Sequence, residues 1–264
     1  MRLAVVALLS VSMSGAIGQP ITELWDFGDP AKSERRFRDA LRDAHGDRRL
    51  ELETQVARTY SLRGRFAEAH SVLDALEPRL ASAGLRPKLR YLLERGRTFN
   101  SAGDKAAARP LFLQAWELGR ASAEQDLAID AAHMVAIVDG GEQALQWNRM
   151  ALGLAESSSD SAARRWRAPL LNNIGYELEA LGRYDEALAA FEQALVAYRE
   201  RGDRREIRIA RWMIAHNLRL QNRYDEALAI QLDLERELAA EGGSDPDVSE
   251  EIAALHKALG KAGK

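Results

Sequence analysis

Apolar residues recur along most of this chain at spacings of three and four, the period of one face of a helix. The segment "NNIGYELEALGRYDEALAAFEQALVAYRERGD" has the pattern twice, with a Gly-Arg-Tyr-Asp turn between the halves. Ile174 and Leu178 share a face of the first half, and Ala187 and Phe191 share a face of the second. Because neither helix can bury its apolar face alone, the pattern predicts a helical hairpin that packs against neighbouring hairpins.

The same hairpin pattern occurs five times along the chain. A small residue near the start of each second helix marks the repeat, and these residues follow one another at steps of 36 to 43 positions. The anchor residues are Ala69, Ala108, Ala144, Ala187 and Ala227. The predicted hairpins span residues 48–83, 86–121, 124–157, 167–202 and 206–242.

Half-units flank the five hairpins. Residues 30–45 have Pro30 at a helix start and Phe37 and Leu41 on one face, which predicts a lone second helix. Residues 248–260 predict a lone first helix with Ser249 as its N-cap. Both half-units are expected to cover the apolar ends of the array. The sequence thus predicts one all-α domain over residues 19–264, built as a solenoid of about five antiparallel helix pairs with capping half-repeats.

The hairpin resembles the tetratricopeptide repeat. It matches the pattern of that repeat with small residues at Gly175 and Ala187, a turn at Gly182 and Tyr184, and an aromatic residue at Phe191. The resemblance covers nearly all of residues 19–264. It implies a right-handed superhelical solenoid whose first helices line a concave groove. It also implies binding of a protein or peptide, although a fold does not by itself carry a function.

More narrowly, the chain resembles a group of exported bacterial tetratricopeptide proteins. The segments that carry this likeness are "LWDFGDPAKSERRFR", "RYLLERGRTFNSAGD", "DAAHMVAIV", "LLNNIGYELEALG" and "RIARW". The likeness implies a fold and an export route, and it names no ligand.

The N-terminus "MRLAVVALLSVSMSGAIGQP" has the order of a secretory signal peptide: one Arg, an apolar run, and small residues before Gln19. The prediction is a signal over residues 1–18 and a periplasmic or secreted mature protein. The apolar run is short for a membrane span, which needs about 20 residues. The alternatives are an uncleaved anchor and a buried first helix. No membrane insertion is expected after cleavage, and the chain has no cysteine.

Composition narrows the class of partner. The chain has 264 residues, of which 46% are hydrophobic and 29% charged, which is typical of a folded protein rather than a disordered one. The formal net charge of -3 gives no basic field, so nucleic acid is not expected as a partner. A protein or peptide ligand is the predicted partner.

Polar and aromatic residues next to the packing positions of the first helices are expected to line the groove as one strip. Asn amides suit a peptide backbone, and Arg suits a carboxylate. The alternative is a solvated face that binds nothing. The candidate ligand-binding residues are Arg58, Arg97, Asn100, Asp130, His133, Asn172, Asn173, Tyr176, Trp212 and His216.

Catalysis ranks last among the functions considered. Asp130 and His133 lie one turn apart, but His133 and His216 are two repeats apart, about 20 Å on helix spacings, and cannot share a metal. No sequence motif of a metalloprotease, a nucleotide-binding loop or a serine hydrolase is found. The prediction is a non-catalytic scaffold without metal or cofactor. A structural subunit that assembles through the solenoid ends or the convex face is the alternative.

Overall fold

Residues 20–260 are described by a computed structural model of the chain, and within that range every regular element is a helix. The signal peptide predicted over residues 1–18 lies outside the described residues. A short 3₁₀ segment, Glu77–Ser82, joins the first and second hairpins. The α-helices are α1 (Ile21–Leu24), α2 (Pro30–Ala40), α3 (Gly46–Ser61), α4 (Phe66–Leu76), α5 (Leu85–Ser101), α6 (Lys105–Gly119), α7 (Gln125–Asp139), α8 (Gly141–Ser157), α9 (Ser161–Arg164), α10 (Arg167–Ala180), α11 (Tyr184–Arg201), α12 (Arg204–Leu220), α13 (Tyr224–Ala240) and α14 (Pro246–Ala258).

Consecutive helices pair into hairpins: α3 with α4, α5 with α6, α7 with α8, α10 with α11, and α12 with α13. Second helices also pack against the first helix that follows, as α6 does against α7 and α11 against α12. At the two ends, α2 packs on α3 and α14 packs on α13. This arrangement confirms the predicted all-α solenoid of helical hairpins.

A residue with left-handed backbone reverses the chain between the helices of each hairpin. Gly64, Gly103 and Gly182 have φ angles of 71°, 88° and 74°, and Gly140 supplies the third turn with φ 70°. In the last hairpin the residue is Asn222, with φ 61°. Glycine has no Cβ to clash in this conformation, and asparagine tolerates it better than most residues. The regular glycine of the repeat therefore follows from the turn geometry.

The two helices of a hairpin cross where a small residue faces a large one. A Cβ atom on Gly96 would lie 2.5 Å from the ring of Phe112, and one on Gly175 would lie 2.5 Å from the ring of Phe191. Both rings are fully buried. The aromatic ring thus occupies the space of the missing Cβ, and the two helices approach closely at Gly175.

In two hairpins this core position holds an amide. The residues equivalent to Phe112 and Phe191 include Asn148 and Gln231, which are 2% and 0% exposed. Asn148 Oδ1 and both polar atoms of the Gln231 side chain have no hydrogen-bond partner among the described residues. A buried polar group without a partner costs roughly 1–3 kcal/mol. Alignment of the repeats on their anchor alanines shows the two amides at this core position, whereas the apolar pattern alone does not show them.

The C-terminal cap begins earlier than the sequence predicted. Helix α14 begins at Pro246, and the Asp245 side chain accepts a hydrogen bond from the Asp247 N–H at 3.0 Å. The prediction of Ser249 as the N-cap is wrong, because Ser249 lies inside the helix. Proline suits the first helical position because its φ is already helical and its missing N–H would have no partner there. The Asp-Pro pair was therefore the stronger start signal.

The apolar core runs along the array rather than around one centre. One cluster of buried residues lies in the first three hairpins, a second in the last two and α14, and a third joins α1, α2 and α3. Leu152 on α8 packs against both large clusters. Within residues 20–260, none of the helices is long and apolar enough to cross a membrane.

The buried amide of Gln231 generates a stability prediction. Gln231→Leu is expected to stabilise the protein by roughly 1–3 kcal/mol, because it removes two unpaired polar groups without leaving a partner behind. Leucine suits the space by comparison with the first hairpin, in which Leu73 occupies the position equivalent to Gln231. The first-helix residue equivalent to Ala57 of that hairpin is Ala215, so the small residue is the same in both. Thermal unfolding followed by circular dichroism measures the change. The reciprocal control, Leu73→Gln, should lower the melting temperature, and a Gln231→Leu variant that melts below wild type would contradict the argument.

Candidate functional site

Most of the predicted binding residues lie in a row of side chains that runs across the first helices. Through these side chains each first helix contacts the next one. We call this row the first-helix seam, and we call each contact between one first helix and the next a joint, numbered from the N-terminus. One position on each first helix holds Arg58, Arg97, His133, Tyr176 and His216. A second position, one turn nearer the N-terminus, holds Gln55, Glu94, Asp130, Asn173 and Met213. The seam also includes Glu179 on α10 and Glu251 on α14.

Glu94 is the centre of the N-terminal half of the seam. It is 2% exposed and accepts hydrogen bonds from Arg58 at 3.1 Å, from Arg97 at 2.9 Å and from Gln55 at 3.4 Å. Arg97 also donates to Asp130 on α7. Arg58 therefore joins α3 to α5, and Arg97 joins α5 to α7.

These buried charges depend on one another. Burial acts to raise the pKa of Glu94, but the cations of Arg58 and Arg97 outweigh it and lower that pKa below its usual value. Burial likewise opposes ionisation of Asp130, and Arg97 again outweighs it and lowers the pKa. An ion taken out of water costs several kcal/mol unless a partner compensates it. The carboxylates and guanidinium groups of the seam are therefore stable only as a set.

The third joint is neutral. Asn173 Nδ2 lies 3.2 Å from Nδ1 of His133, close enough to donate a hydrogen bond when that nitrogen carries no proton. The His133 ring also packs at 5.8 Å from the ring of Trp166. Burial lowers the pKa of His133, which favours the neutral imidazole. His133 thus joins α7 to α10 through an amide rather than through a charge.

The last joint centres on Glu251 of the C-terminal cap. His216 Nδ1 lies 2.8 Å from this carboxylate, and Arg219 Nε lies 2.7 Å from it. The other nitrogen of His216 lies 3.5 Å from Glu179, and the ring stacks on Trp212 at 5.0 Å. Burial acts to raise the pKa of Glu251, but the hydrogen bonds from His216 and Arg219 outweigh it and lower the pKa to about 2.

The fourth joint breaks the pattern. Tyr176 and Met213 occupy its two positions, and neither side chain carries a charge. Asn217 joins the two helices instead, by donating to Glu179 at 3.0 Å. Tyr176 is left 60% exposed. The joint between α10 and α12 therefore presents a free aromatic surface on a face whose other seam residues are paired.

The structure gives internal partners to the charged residues that the sequence predicted to face a ligand. Arg58, Arg97, Asp130 and His216 all bind side chains on a neighbouring first helix. Carboxylates of the chain itself already bind Arg58 and Arg97 in this conformation, and the expectation that either takes a ligand carboxylate stays a prediction. The spacing of the repeats did not reveal this, since it does not fix the offset between neighbouring first helices.

The uncharged candidates differ among themselves. Asn173 pairs with His133, whereas Tyr176 is exposed. Asn100 Oδ1, Asn172 Oδ1 and Trp212 Nε1 are buried and have no hydrogen-bond partner within residues 20–260. The strip predicted from the sequence is thus divided between residues that join helices and residues with free hydrogen-bonding or aromatic groups.

An aromatic pair at the start of the seam was not among the predicted binding residues. The rings of Trp25 and Phe27 stack at 4.7 Å, and Phe27 is 64% exposed. Trp25 Nε1 donates to Gln55 Oε1 at 3.0 Å, and the Arg58 guanidinium lies 5.7 Å from the Trp25 ring. The segment "LWDFGDP" contains both aromatic residues, but its lack of helical periodicity kept it out of the repeat alignment.

A cleft opens beside the fourth and fifth joints, between α12, α13 and α14. We call it the C-terminal cleft. Its volume is about 500 Å³, and Arg205, Arg208, Asp245 and Asp247 contribute charged groups to its walls. Its apolar lining consists of Ile209, Trp212, Met213, Leu234, Leu238 and Val248. Within residues 20–260, no group of three or more His, Cys, Asp or Glu side chains could hold a metal ion.

Residues 166–233 match the tetratricopeptide repeat family. This region contains the hairpin of Gly175 and Phe191, the exposed Tyr176 and most of the last hairpin. No curated protein matches the sequence.

Several solved structures have a similar fold, and the first is described as having a tetratricopeptide repeat sensor. The tetratricopeptide sensor protein of the STAND ATPase class from Pyrococcus horikoshii matches 88% of this chain with a TM-score of 0.69 and 13% identity, and this chain spans 36% of that protein. BtubC from P. vanneervenii matches 87% of this chain and 95% of its own length, with a TM-score of 0.64 and 14% identity. NprR in complex with its cognate peptide NprX matches 91% of this chain and 73% of its own, with a TM-score of 0.55 and 16% identity. At these identities the likeness concerns the fold alone.

The buried charge set of the seam generates a second prediction. Arg97→Met is expected to destabilise the protein by roughly 3–5 kcal/mol, because it leaves Glu94 and Asp130 without their shared cation. Urea unfolding measures the loss. Arg42→Met is the matched control: Arg42 pairs with Asp39 at the surface, where both side chains are more than 60% exposed, and its loss should change stability by less than about 0.5 kcal/mol. Equal effects of the two substitutions would show that the seam charges carry no special weight.

Glu251 generates a prediction about acid stability. Because its pKa falls from 4.5 to about 2 on folding, its ionised form stabilises the protein above pH 4.5, and this contribution is lost as the pH falls towards 2. The stability difference between wild type and Glu251→Gln should therefore be largest above pH 4.5 and shrink across that window. Chemical unfolding at a series of pH values measures it. Glu250→Gln, an exposed neighbour on α14, is the control and should show a small difference throughout.

Proposed function

We propose that this chain is a non-catalytic scaffold that binds a protein or peptide along the exposed face of its first helices. The observation that carries the proposal is the broken fourth joint of the seam. At the other joints the residue equivalent to Tyr176 is held by a side chain of the next first helix, whereas Tyr176 is 60% exposed on this face. An exposed aromatic ring is a typical anchor for a polypeptide, since aromatic residues dominate binding energy at interfaces.

The paired joints on either side support the proposal. Arg97 with Asp130 and His133 with Asn173 hold the first helices before Tyr176, and His216 with Glu251 holds those after it. A face held in this way does not need to be ordered when a ligand arrives, which lowers the entropic cost of binding.

The structural comparisons support the same class of ligand. NprR has a similar fold and is described in complex with its cognate peptide, and a Rap protein with a TM-score of 0.58 is described in complex with Competence and Sporulation Factor. We take from these proteins the kind of surface and not the identity of a ligand, because their sequence identities to this chain are 16% and 13%.

We also propose that the protein acts outside the cytoplasm, as a member of the exported bacterial group that its sequence resembles. The support is the order of charged, apolar and small residues in 1–18. A periplasmic or secreted scaffold would meet extracytoplasmic proteins and peptides as its partners.

The binding test uses peptides selected on the wild-type protein from a display library of random sequences, synthesised and titrated by fluorescence polarisation. Tyr176→Ala is expected to weaken binding about tenfold or more, as removal of an aromatic hot spot does. Because Tyr176 is exposed, the variant should melt as wild type does.

Val196→Ala is the matched control, since Val196 is 49% exposed on the second helix α11. It should leave the affinity unchanged. Failure to select any peptide would count against the scaffold proposal. Loss of affinity in Val196→Ala but not in Tyr176→Ala would move the binding surface to the second helices and favour the structural-subunit alternative.

A further inference from the structure

The C-terminal cleft differs from the rest of the first-helix face because its floor is apolar. Leu234 is 1% exposed at the floor, and Trp212 and Met213 are partly buried beside it. Ile209, which is 41% exposed, stands at the opening. A volume of about 500 Å³ is within the range of sites that accept a small ligand or several groups of a peptide. The cleft is thus suited to remove an apolar side chain from water.

One unpaired hydrogen-bonding group belongs to a residue that lines this cleft, and two others lie one turn from its floor residue Leu234. Trp212 Nε1 is buried and has no acceptor within residues 20–260, although the residue lines the cleft. Gln231, one turn before Leu234 on α13, has neither of its side-chain polar atoms paired. An indole N–H can only donate, so a ligand that satisfies it must bring an acceptor such as a carbonyl oxygen. The cleft therefore favours a ligand that is apolar but carries a carbonyl group beside the apolar part.

The charges on the two walls differ. On α12, Arg205 and Arg208 each have a carboxylate nearby, at 3.8 Å from Glu206 and 2.6 Å from Glu241 respectively. On the α14 wall, Asp245 binds the backbone N–H of Asp247, and no cationic side chain among the described residues pairs with either carboxylate.

Part of the negative charge on the α14 wall is compensated by the positive N-terminal end of the helix. A helix N-terminus carries the equivalent of about half a positive charge, which two carboxylates exceed. Asp245 and Asp247 therefore leave net negative charge at this wall. A ligand that fits both walls presents its positive group towards α14.

We propose that the C-terminal cleft binds an apolar side chain of the partner polypeptide, followed or preceded by a lysine or arginine. The apolar side chain packs on Trp212, Met213 and Leu234. The Trp212 ring turns so that its N–H, which is buried in the free protein, donates to a backbone carbonyl of the partner, and the basic residue faces Asp245 and Asp247. This inference rests on the proposed scaffold function and adds the kind of sequence that the scaffold recognises.

A polypeptide fits these features better than a lipid does. A lipid chain needs a continuous apolar lining, whereas four charged residues line the walls here. A peptide supplies the apolar group, the carbonyl acceptor and the cation within two adjacent residues. Tyr176, at the joint between α10 and α12, provides a second aromatic contact for the same chain.

The test uses positional-scanning pools of peptides with acetylated and amidated ends, so that terminal charges do not contribute. Pools with Leu, Met, Phe or Trp at the fixed position should bind wild-type protein more tightly than pools with Ser or Glu. Ile209→Glu places a charge at the opening and should abolish this preference. Trp212→Phe keeps a ring but removes the N–H, and should weaken binding of the apolar pools about fivefold, the value of one hydrogen bond.

Charge recognition is tested with Asp247→Lys. Asp247 is exposed, and the cap of α14 uses only its backbone N–H. The variant should lose the preference for Lys or Arg beside the apolar residue and prefer Glu or Asp there. Leu118→Glu is the control for Ile209→Glu, since Leu118 is 44% exposed on the second helix α6. It should leave every pool unchanged, and all variants are checked by thermal unfolding.

The outcomes separate this inference from the function on which it rests. If no pool binds, the scaffold proposal fails and the cleft inference fails with it. If pools bind but the apolar preference is absent or survives Ile209→Glu, the scaffold stands and the cleft is not its anchor. If Ile209→Glu converts a dimer to a monomer by light scattering without affecting any pool, the occupant of the cleft is a second copy of the chain, and the inference is overturned.

Discussion

The pairing of each first helix with the next is the interaction on which the rest of the molecule depends. A solenoid has no single centre, so its course is set by the contact between neighbouring hairpins. In this chain the second helices make that contact largely with apolar residues, whereas the first helices make much of it with Arg58, Glu94, Arg97 and Asp130. Buried ions attract strongly but are costly to desolvate, so they add little net stability when complete and cost much when broken. Such a set favours the alignment in which each ion meets its counter-ion.

The fourth joint is the one at which the two seam positions are not paired with each other. The charged residues at the other joints already have partners within the chain, so a ligand would have to compete with those partners for them. Tyr176 and Met213 stand where a charged pair would otherwise be, and the C-terminal cleft opens beside them. Rigidity and recognition are thus assigned to different joints of one repeated structure.

The fold was predictable from the sequence because each hairpin repeats the same local constraints. Gly182 supplies the turn, Gly175 and Phe191 the crossing, and each can be read from a single repeat. The candidate site was predictable only in part. The residues of the seam were found, but their partners depend on the offset between neighbouring first helices, which no single repeat contains. Arg97 therefore looked free for a ligand, although Asp130 holds it. Gln231 is a different case, because alignment of the repeats on their anchor alanines places it at the position where Phe112 and Phe191 are buried.

The order of partners along the seam also determines how such an array can change its number of repeats during evolution. A duplicated second hairpin would place Arg97 opposite another Glu94, and its deletion would place Arg58 opposite Asp130, so a cation would still meet a carboxylate in both cases. Deletion of the third hairpin would instead place Arg97 opposite Asn173, which leaves a buried guanidinium without a counter-ion. The pairing along the seam therefore tolerates duplication or loss of the second hairpin better than loss of the third.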